Sequence, residues 1–295
     1  MRGMAMIRSG REEGLPYSLS RWTDVPAAKW DWFQDRMKAG YMEGFDPRTG
    51  VPALWSLRPE DTLGLIFWTK NPTKLYENAD LLRQYNTRVH VTITGWHEEE
   101  PGVPSWGDMA MMTRALGVKL GWERITLRFS PVPIGLERGE LLRRFDMITW
   151  LVSPFSGGWP EIPGVGVKDV FLSFLQTNDR IEETRSEANR IAIMREMAEI
   201  AARWGMNVRL CNEDRTLLGG GRLPSNLAPG ICAPPGDFEL PGLPKSPSEG
   251  CGCVLAVEPF TINESCTYGC RYCYAADETL SGKKRNTTRH LPLLR

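Results

Sequence analysis

Short strand-like runs alternate with amphipathic helical segments through the first part of the chain, and this alternation limits the possible folds most strongly. The strand-like runs are Tyr17–Arg21, Leu63–Lys70, Val89–Thr94, Ile125–Phe129, Val170–Gln176 and Val208–Cys211. Helical spacing of apolar residues covers Ala27–Lys38, Tyr76–Tyr85, Asp108–Leu116, Glu140–Trp150 and Glu187–Trp204. Strands that alternate with helices form mostly parallel sheets with the helices outside. The pattern therefore predicts an α/β fold, a partial or closed β/α barrel of the TIM-barrel kind.

The composition excludes several classes of protein. The chain has 295 residues, and its 36 Lys and Arg balance 36 Asp and Glu, so it is not a nucleic-acid binder held by net charge. No apolar run reaches the ~18 residues of a transmembrane helix. The charged start, with Arg8, Arg11, Glu12 and Glu13, lacks the apolar core of a signal peptide. We therefore expect a cytoplasmic protein with no membrane partner. In that reducing compartment, seven cysteines favour metal ligands or redox chemistry over disulfides.

The regular alternation ends after Cys211. Between residues 219 and 250, 14 of 32 residues are Gly or Pro, a density that neither a helix nor a central strand tolerates. An irregular stretch of this length needs a contact or a ligand that holds it in place. We predict four regions: β/α barrel units (15–211), a Gly/Pro-rich metal-tethered segment (212–253), a final barrel strand with a cysteine loop (254–280) and a basic tail (281–295). The tail is either solvated or in contact with nucleic acid.

The densest cysteine cluster is a C-x3-C-x2-C run made by Cys266, Cys270 and Cys273. Three such thiolates can hold three irons of a [4Fe–4S] cluster and leave the fourth iron open. An amine and a carboxylate can chelate that iron, which is how S-adenosylmethionine (SAM) is held for one-electron cleavage. Tyr272 lies where an aromatic ring can face an adenine. Structural zinc and simple burial of the cysteines are the alternatives, although zinc would prefer two C-x2-C pairs or histidine partners.

The chain has four further cysteines, which is the number of ligands that a second, fully ligated metal centre needs. They are Cys211, Cys232, Cys251 and Cys253. The C-x-C spacing of the last two lets one turn present both sulfurs, and a metal bond at Cys232 would offset the entropy cost of ordering the Gly/Pro-rich segment. We expect a second [4Fe–4S] cluster, with zinc or separate fates for the four thiols as alternatives.

The stretch Ile262–Ala275 resembles the cluster loop of radical-SAM enzymes related to spore photoproduct lyase. In those enzymes the loop opens the barrel near the N-terminus, whereas here it lies late in the sequence. The rest of the chain resembles an uncharacterised bacterial family with this permuted order, through Ser18–Pro26, Ile66–Pro72 and Cys251–Cys253. The resemblance implies a permuted radical-SAM barrel in which Val254–Val257 is last in sequence but first in space.

The resemblance also implies which strand ends lie near SAM. Lys70 would face the SAM carboxylate, and Thr92 and Arg128 would lie nearby. The alternatives are a solvated strand terminus for Lys70, an ordinary strand threonine for Thr92 and a structural ion pair for Arg128. The acidic run His97–Glu100 is predicted to be a solvated loop.

The implied function is an oxygen-sensitive radical-SAM enzyme. A one-electron donor such as flavodoxin or ferredoxin would reduce the cluster, and the radical derived from SAM would abstract hydrogen from a substrate that the sequence does not identify. The alternative is a non-catalytic iron–sulfur or zinc protein that acts in electron transfer or nucleic-acid binding.

Overall fold

The computed structural model of the chain describes residues 6–20, 23–154, 165–175, 184–211, 224–240, 252–259 and 266–273. Among these residues the strands are β1 (Ile7–Arg8), β2 (Tyr17–Ser18), β3 (Tyr41–Phe45), β4 (Pro52–Ser56), β5 (Leu65–Thr69), β6 (Thr87–Thr92), β7 (Ile125–Phe129), β8 (Asp169–Leu172), β9 (Asn207–Leu210), β10 (Leu227–Pro229) and β11 (Glu258–Pro259). The α-helices are α1 (Gly10–Glu13), α2 (Val25–Ala28), α3 (Trp30–Ala39), α4 (Thr73–Glu77), α5 (Ala79–Leu82), α6 (Trp106–Leu120), α7 (Arg138–Val152) and α8 (Glu187–Arg203).

The larger of two sheets has seven strands in the order β10-β9-β8-β7-β6-β5-β2, and all neighbouring pairs are parallel. Each of the predicted strand runs overlaps one of these strands, although β6, β8 and β9 begin one or two residues before the predicted runs, and β10 was not predicted. The register pairs Thr69 with Val91 and Thr92 with Arg128, so the carboxyl ends of β5, β6 and β7 lie together. Within the described residues the sheet does not close, because β10 and β2 are its outer strands. The architecture is α/β and consistent with a partial barrel.

Helices cover one face of this sheet, as the alternation predicted. Phe67, Val91 and Leu127 point to that face and join the main hydrophobic core with residues of α3, α6, α7 and α8. The helix predicted over 27–38 is divided into α2 and α3, because Lys29 between them leaves the helical conformation, with φ at −139°. Gly40 ends α3 with φ at 78°, a left-handed conformation that glycine adopts without strain.

The other face of the sheet is covered by chain that follows β10. Ile66 and Phe171 pack there with Cys232 and Phe238 in a separate apolar cluster. Phe238 lies against Gly64, just before β5: a β-carbon added to Gly64 would lie 2.6 Å from the Phe238 ring. The described part of the Gly/Pro-rich segment therefore lies directly on the sheet, and Gly64 permits its close approach.

The second sheet has the strand order β1-β4-β3-β11 and contains an antiparallel hairpin of β3 and β4 that the sequence analysis did not predict. Asp46, in the hairpin turn, is 2 % exposed. Its carboxylate pairs with Arg8 Nη1 at 2.8 Å and with Arg48 Nε at 3.2 Å. Burial opposes ionisation of Asp46, but the two guanidinium groups outweigh it and lower the pKa of Asp46 to about 2. This buried carboxylate ties β1 to the hairpin.

Residues late in the sequence return to the first strand of the large sheet. Val257 forms a parallel bridge with Tyr17 of β2. The Ser18 amide donates to the Val257 carbonyl at 2.9 Å, and the Val254 amide donates to the Ala233 carbonyl at 2.9 Å. The segment around Val257 thus lies beside β2, but of the predicted strand Val254–Val257 only Val257 forms a bridge, and the next regular strand, β11, pairs with β3 instead.

No helix among the described residues is both long and apolar enough to span a membrane. The predicted basic tail, 281–295, lies outside the described residues, as do 212–223 and 241–251.

Candidate cofactor site and second thiol group

The cysteine loop, residues 266–273, is held against the loop that follows β6. The Gly102 amide donates to the Tyr268 carbonyl at 2.9 Å, and the Arg271 amide donates to the Glu99 carbonyl at 2.9 Å. A β-carbon at Gly102 would lie 2.7 Å from the Tyr268 carbonyl oxygen, so a glycine is needed for this approach. These contacts hold the cysteine loop near the carboxyl ends of the parallel strands, where α/β sheets bind ligands.

The three thiols of the cysteine loop are neighbours. Cys270 is buried, whereas Cys266 and Cys273 are half-buried, and each thiol interacts electrostatically with the other two. Burial raises the pKa of Cys270 to about 12 and also raises the pKa of Cys266. The protonated form of Cys266 and Cys270 is therefore favoured, and a bound metal would displace their protons.

Beside Cys270 lies a buried ion pair between Lys70 and Glu100. The Lys70 ammonium is 2.7 Å from Glu100 Oε1, and the Tyr272 hydroxyl donates to the same oxygen. Burial lowers the pKa of Lys70, but the charge of Glu100 and its hydrogen bond more than compensate, so the net pKa is raised and Lys70 carries a positive charge. Lys70 is thus not the solvated strand terminus that was its alternative.

Glu100 is a residue that the sequence analysis missed. The run His97–Glu100 was predicted to be a solvated acidic loop, yet Glu100 is only 4 % exposed. Glu100 is buried because the loop after β6 lies beside the carboxyl end of β5, and these two strands are parallel neighbours in the sheet. The sequence did contain a signal for this pair: the cationic Lys70 follows one predicted strand, and the acidic Glu100 follows the next.

Tyr272 was predicted to face an adenine. In the structure its ring stacks on Trp96, with the centroids 5.6 Å apart and the planes at 13°. The Lys70 ammonium lies 5.6 Å from the centroid of the Tyr272 ring. One face of this ring is therefore already covered by an indole.

Asp24 joins three parts of the site. Its carboxylate accepts hydrogen bonds from the Lys70 amide at 2.7 Å, the Thr69 hydroxyl at 2.8 Å and the Ala27 amide at 3.2 Å. Its backbone also hydrogen-bonds Cys266. Burial raises the pKa of Asp24 to about 6, although the hydrogen bonds act in the opposite direction. Asp24 is therefore both the N-cap of α2 and an anchor for the end of β5.

The remaining residues that the resemblance places near SAM divide between two locations. Thr92 lines a small cavity together with Thr94, His97 and Glu100, so it lies near the Lys70–Glu100 pair. Arg128 instead faces the other thiols, since its Nη1 is 3.2 Å from Cys232 Sγ. Of the four predicted SAM contacts, Lys70 and Tyr272 thus meet at the Glu100 carboxylate, Thr92 shares a cavity with Glu100, and Arg128 lies at the other thiols.

Three of the other four predicted metal ligands converge in what we call the second thiol group, made of Cys211, Cys232 and Cys253. Cys211 Sγ and Cys232 Sγ are 3.0 Å apart, and Cys232 also hydrogen-bonds Cys253. The fourth, Cys251, lies outside the described residues. Side chains widely separated in sequence therefore meet on the face of the sheet that the helices leave free.

Neither thiol group is preassembled around a single ion: no three His, Cys, Asp or Glu side chains of the described chain have the arrangement of metal ligands. Their donor chemistry does fit a thiophilic metal, because thiolates are the ligands of iron–sulfur clusters and of structural zinc. Metal binding would require the sulfurs to move, which rotation of short cysteine side chains permits.

Fold and site together define an α/β protein with a thiol-rich, cation-containing site near the carboxyl ends of a parallel sheet. Residues 17–275 match the model of a family described as a domain of unknown function, DUF1848. Because the match spans most of the chain, the protein belongs to this family. The matched range includes all the residues of both thiol groups. Comparison with curated proteins found no match.

Proposed function

We propose that this protein is a radical-SAM enzyme in which Cys266, Cys270 and Cys273 hold a [4Fe–4S] cluster with one open iron. The observation that carries the proposal is the grouping of these three thiols with the buried cation of Lys70. A ligand that chelates iron through an amine and a carboxylate needs both a cluster and a nearby positive charge. When bound and reduced by a donor such as flavodoxin or ferredoxin, the cluster would supply the electron that cleaves SAM to methionine and a 5′-deoxyadenosyl radical.

The surrounding residues have separate tasks in this proposal. Lys70 would bind the SAM carboxylate by a charge-assisted hydrogen bond. Glu100 pairs with the Lys70 ammonium, so SAM binding would include an exchange of carboxylate partners on Lys70. The stacked rings of Trp96 and Tyr272 would exclude water from the site. Asp24 would fix the end of β5 relative to Cys266.

The proposal leaves the substrate unassigned, and the formal net charge of zero gives no support for a nucleic-acid substrate. A non-catalytic metal protein for electron transfer or nucleic-acid binding is the competing function. It would need the same thiols as ligands but would have no use for a SAM-binding cation.

The test is a SAM titration of the anaerobically reconstituted full-length protein. We expect the electron paramagnetic resonance signal of the reduced cluster to change when SAM is added, and 5′-deoxyadenosine to form under dithionite. Cys270→Ser should abolish both. A matched control is Cys232→Ser, which alters a thiol of the second group and should leave the SAM-dependent change in the signal. A cluster signal that does not respond to SAM, with no 5′-deoxyadenosine, would establish the non-catalytic alternative.

A further inference from the structure

We propose that Cys211, Cys232 and Cys253 form a second metal centre for a thiophilic metal, zinc or iron, with Arg128 as its hydrogen-bonding counter-cation. This inference does not rest on the proposed function, because it concerns different residues at a different place in the fold. It also gives Arg128 a role other than the SAM contact that the resemblance implies.

The first support is the convergence of the thiols. Cys211 follows β9, Cys232 follows β10, and Cys253 precedes the segment that returns to β2. Cys232 and Cys253 are buried and Cys211 is half-buried. The sulfur–sulfur distance of 3.0 Å between Cys211 and Cys232 is longer than a disulfide bond of about 2.05 Å, so both thiols are free and lie very close together. Three soft donors from separate segments at one place are what a structural metal site requires.

The second support is the charge of Arg128, whose side chain is half-buried between the thiols and two aromatic rings. Its guanidinium donates to Cys232 Sγ at 3.2 Å and also hydrogen-bonds Cys211. The same guanidinium lies 5.2 Å from the centroid of the Trp68 ring and 6.0 Å from that of Phe171. Arg128 takes part in no ion pair of the described residues. A cation that is withdrawn from much of the solvent loses hydration and is stabilised when an anion pairs with it.

Metal binding would supply this missing anion. Each thiol that ligates a metal gives up its proton to solvent. A Zn²⁺ ion with three thiolates has one net negative charge, which balances the positive charge of Arg128. Iron–sulfur clusters with thiolate ligands are also anionic. The metal-free thiols, by contrast, leave Arg128 with neutral partners.

The third support is a route for the metal. A cavity of about 640 Å³ is lined by Cys232 together with Phe171, Gly230 and Asp169, and it reaches the amino ends of β7 and β8. The cysteine loop is associated with the carboxyl ends of the strands. The second thiol group is therefore approached through Cys232 from the end of the sheet opposite the candidate SAM site.

The geometry requires only a small adjustment. Tetrahedral zinc with Zn–S bonds of about 2.3 Å holds its sulfurs about 3.8 Å apart. Cys211 and Cys232 would therefore separate by less than about 1 Å from their observed 3.0 Å. Such a shift is within reach of rotation about one side-chain bond in each cysteine. A tetrahedral ion would take its fourth ligand from a further donor.

The experiment uses the full-length chain with Cys266, Cys270 and Cys273 all changed to serine, so that any remaining bound metal belongs to the second group. We expect anaerobically purified protein to retain one zinc, or a complement of iron and sulfide, per chain. Cys232→Ser in this background should reduce that content at least tenfold. The folded background protein without bound metal, and unable to take up zinc or iron after reduction, would overturn the proposal.

A second measurement does not depend on a variant of the second thiol group. Cobalt(II) added to the reduced, metal-free background protein should produce thiolate-to-metal charge-transfer absorption with an intensity that matches three thiolates. Arg128→Met should weaken cobalt binding, and Arg128→Lys should restore much of it because the charge is kept. A Cys211–Cys232 disulfide in anaerobically prepared protein, with no cobalt absorption after its reduction, would contradict a metal centre and indicate a redox pair instead.

Discussion

Lys70 and Glu100 form an ion pair inside the protein, with Nζ 2.7 Å from Oε1 and only 16 % and 4 % of their side chains exposed. The two residues follow neighbouring parallel strands, which bring their side chains to the same end of the sheet. Tyr272 of the cysteine loop hydrogen-bonds this pair, and Cys270 interacts with it electrostatically. The stability of the loop and its ability to receive an anionic ligand therefore depend on the same two charges.

Glu100→Gln should increase the affinity for SAM several-fold, because it removes the carboxylate that competes for Lys70. In that background, Lys70→Met should weaken SAM binding by about 10- to 150-fold, the value of a charge-assisted hydrogen bond. Isothermal titration of the anaerobic, reconstituted protein measures both. Lys74→Met is the matched control, since Lys74 is exposed and pairs with Glu77 on the surface. Equal SAM affinities of the proteins with and without Lys70 would show that this residue does not bind SAM.

The same pair should show strong coupling in stability. Either Lys70→Met or Glu100→Gln alone leaves a buried group without its partner and should cost about 3 kcal/mol of unfolding free energy. The double variant should recover a large part of this loss. Urea unfolding of the four metal-free proteins gives the coupling energy as a double-mutant cycle. Additive losses would mean that the two charges do not stabilise one another.

Asp46 should contribute to stability at neutral pH and lose that contribution in acid. Its pKa in the folded chain is about 2, below its unfolded value, so the contribution is present above about pH 4 and declines as the pH falls towards 2. Asp46→Asn should cost about 1–2 kcal/mol at pH 7, because solvent near half-exposed Arg48 screens part of the interaction.

Urea midpoints at pH 7, 5 and 3.5 should therefore show the difference between Asp46→Asn and the parent protein narrowing as the pH falls. Asp35→Asn serves as the control, because Asp35 is 65 % exposed and pairs only with Lys38 in the described contacts. A difference that stays constant with pH would show that Asp46 acts by packing alone.

Gly64→Ala should destabilise the protein by about 1–3 kcal/mol, since its β-carbon would lie 2.6 Å from Phe238 and 2.9 Å from the Asn86 carbonyl. Phe238→Leu in the same chain should relieve part of the loss. Gly107→Ala is the control: no atom lies within 4 Å of its added β-carbon, and alanine favours a helix. Thermal unfolding compares the three. A Gly64→Ala protein as stable as the parent would show that Phe238 does not pack where the structure has it.

The alternation of strands and helices predicted the α/β class because it is a local pattern that every unit repeats. The hairpin of β3 and β4 was not predicted, since Gly44 weakens its strand pattern and is required by a distant contact: a β-carbon there would lie 2.6 Å from Val257. Such tertiary requirements are invisible in a short window of sequence.

The residues of the candidate site also differ in whether a local sequence pattern can predict them. The spacing of Cys266, Cys270 and Cys273 is local, so the sequence could predict their grouping. Glu100 is buried by Lys70, a residue 30 positions earlier, and Arg128 is drawn to Cys232, 104 positions later. Burial that depends on a partner so far away cannot be inferred from an acidic run or from strand alternation alone.

The bridge between Tyr17 and Val257 has a consequence for the timing of biosynthesis. The two residues are separated by about 240 positions, and a ribosome adds about 5–20 residues each second. The outer edge of β2 therefore remains without the Val257 segment for roughly 10–50 s after Tyr17 has been synthesised. During that interval its unpaired amides and carbonyls are open to pairing with other nascent chains. Expression at lower temperature, or with a chaperone that shields this strand, should therefore raise the yield of correctly folded protein.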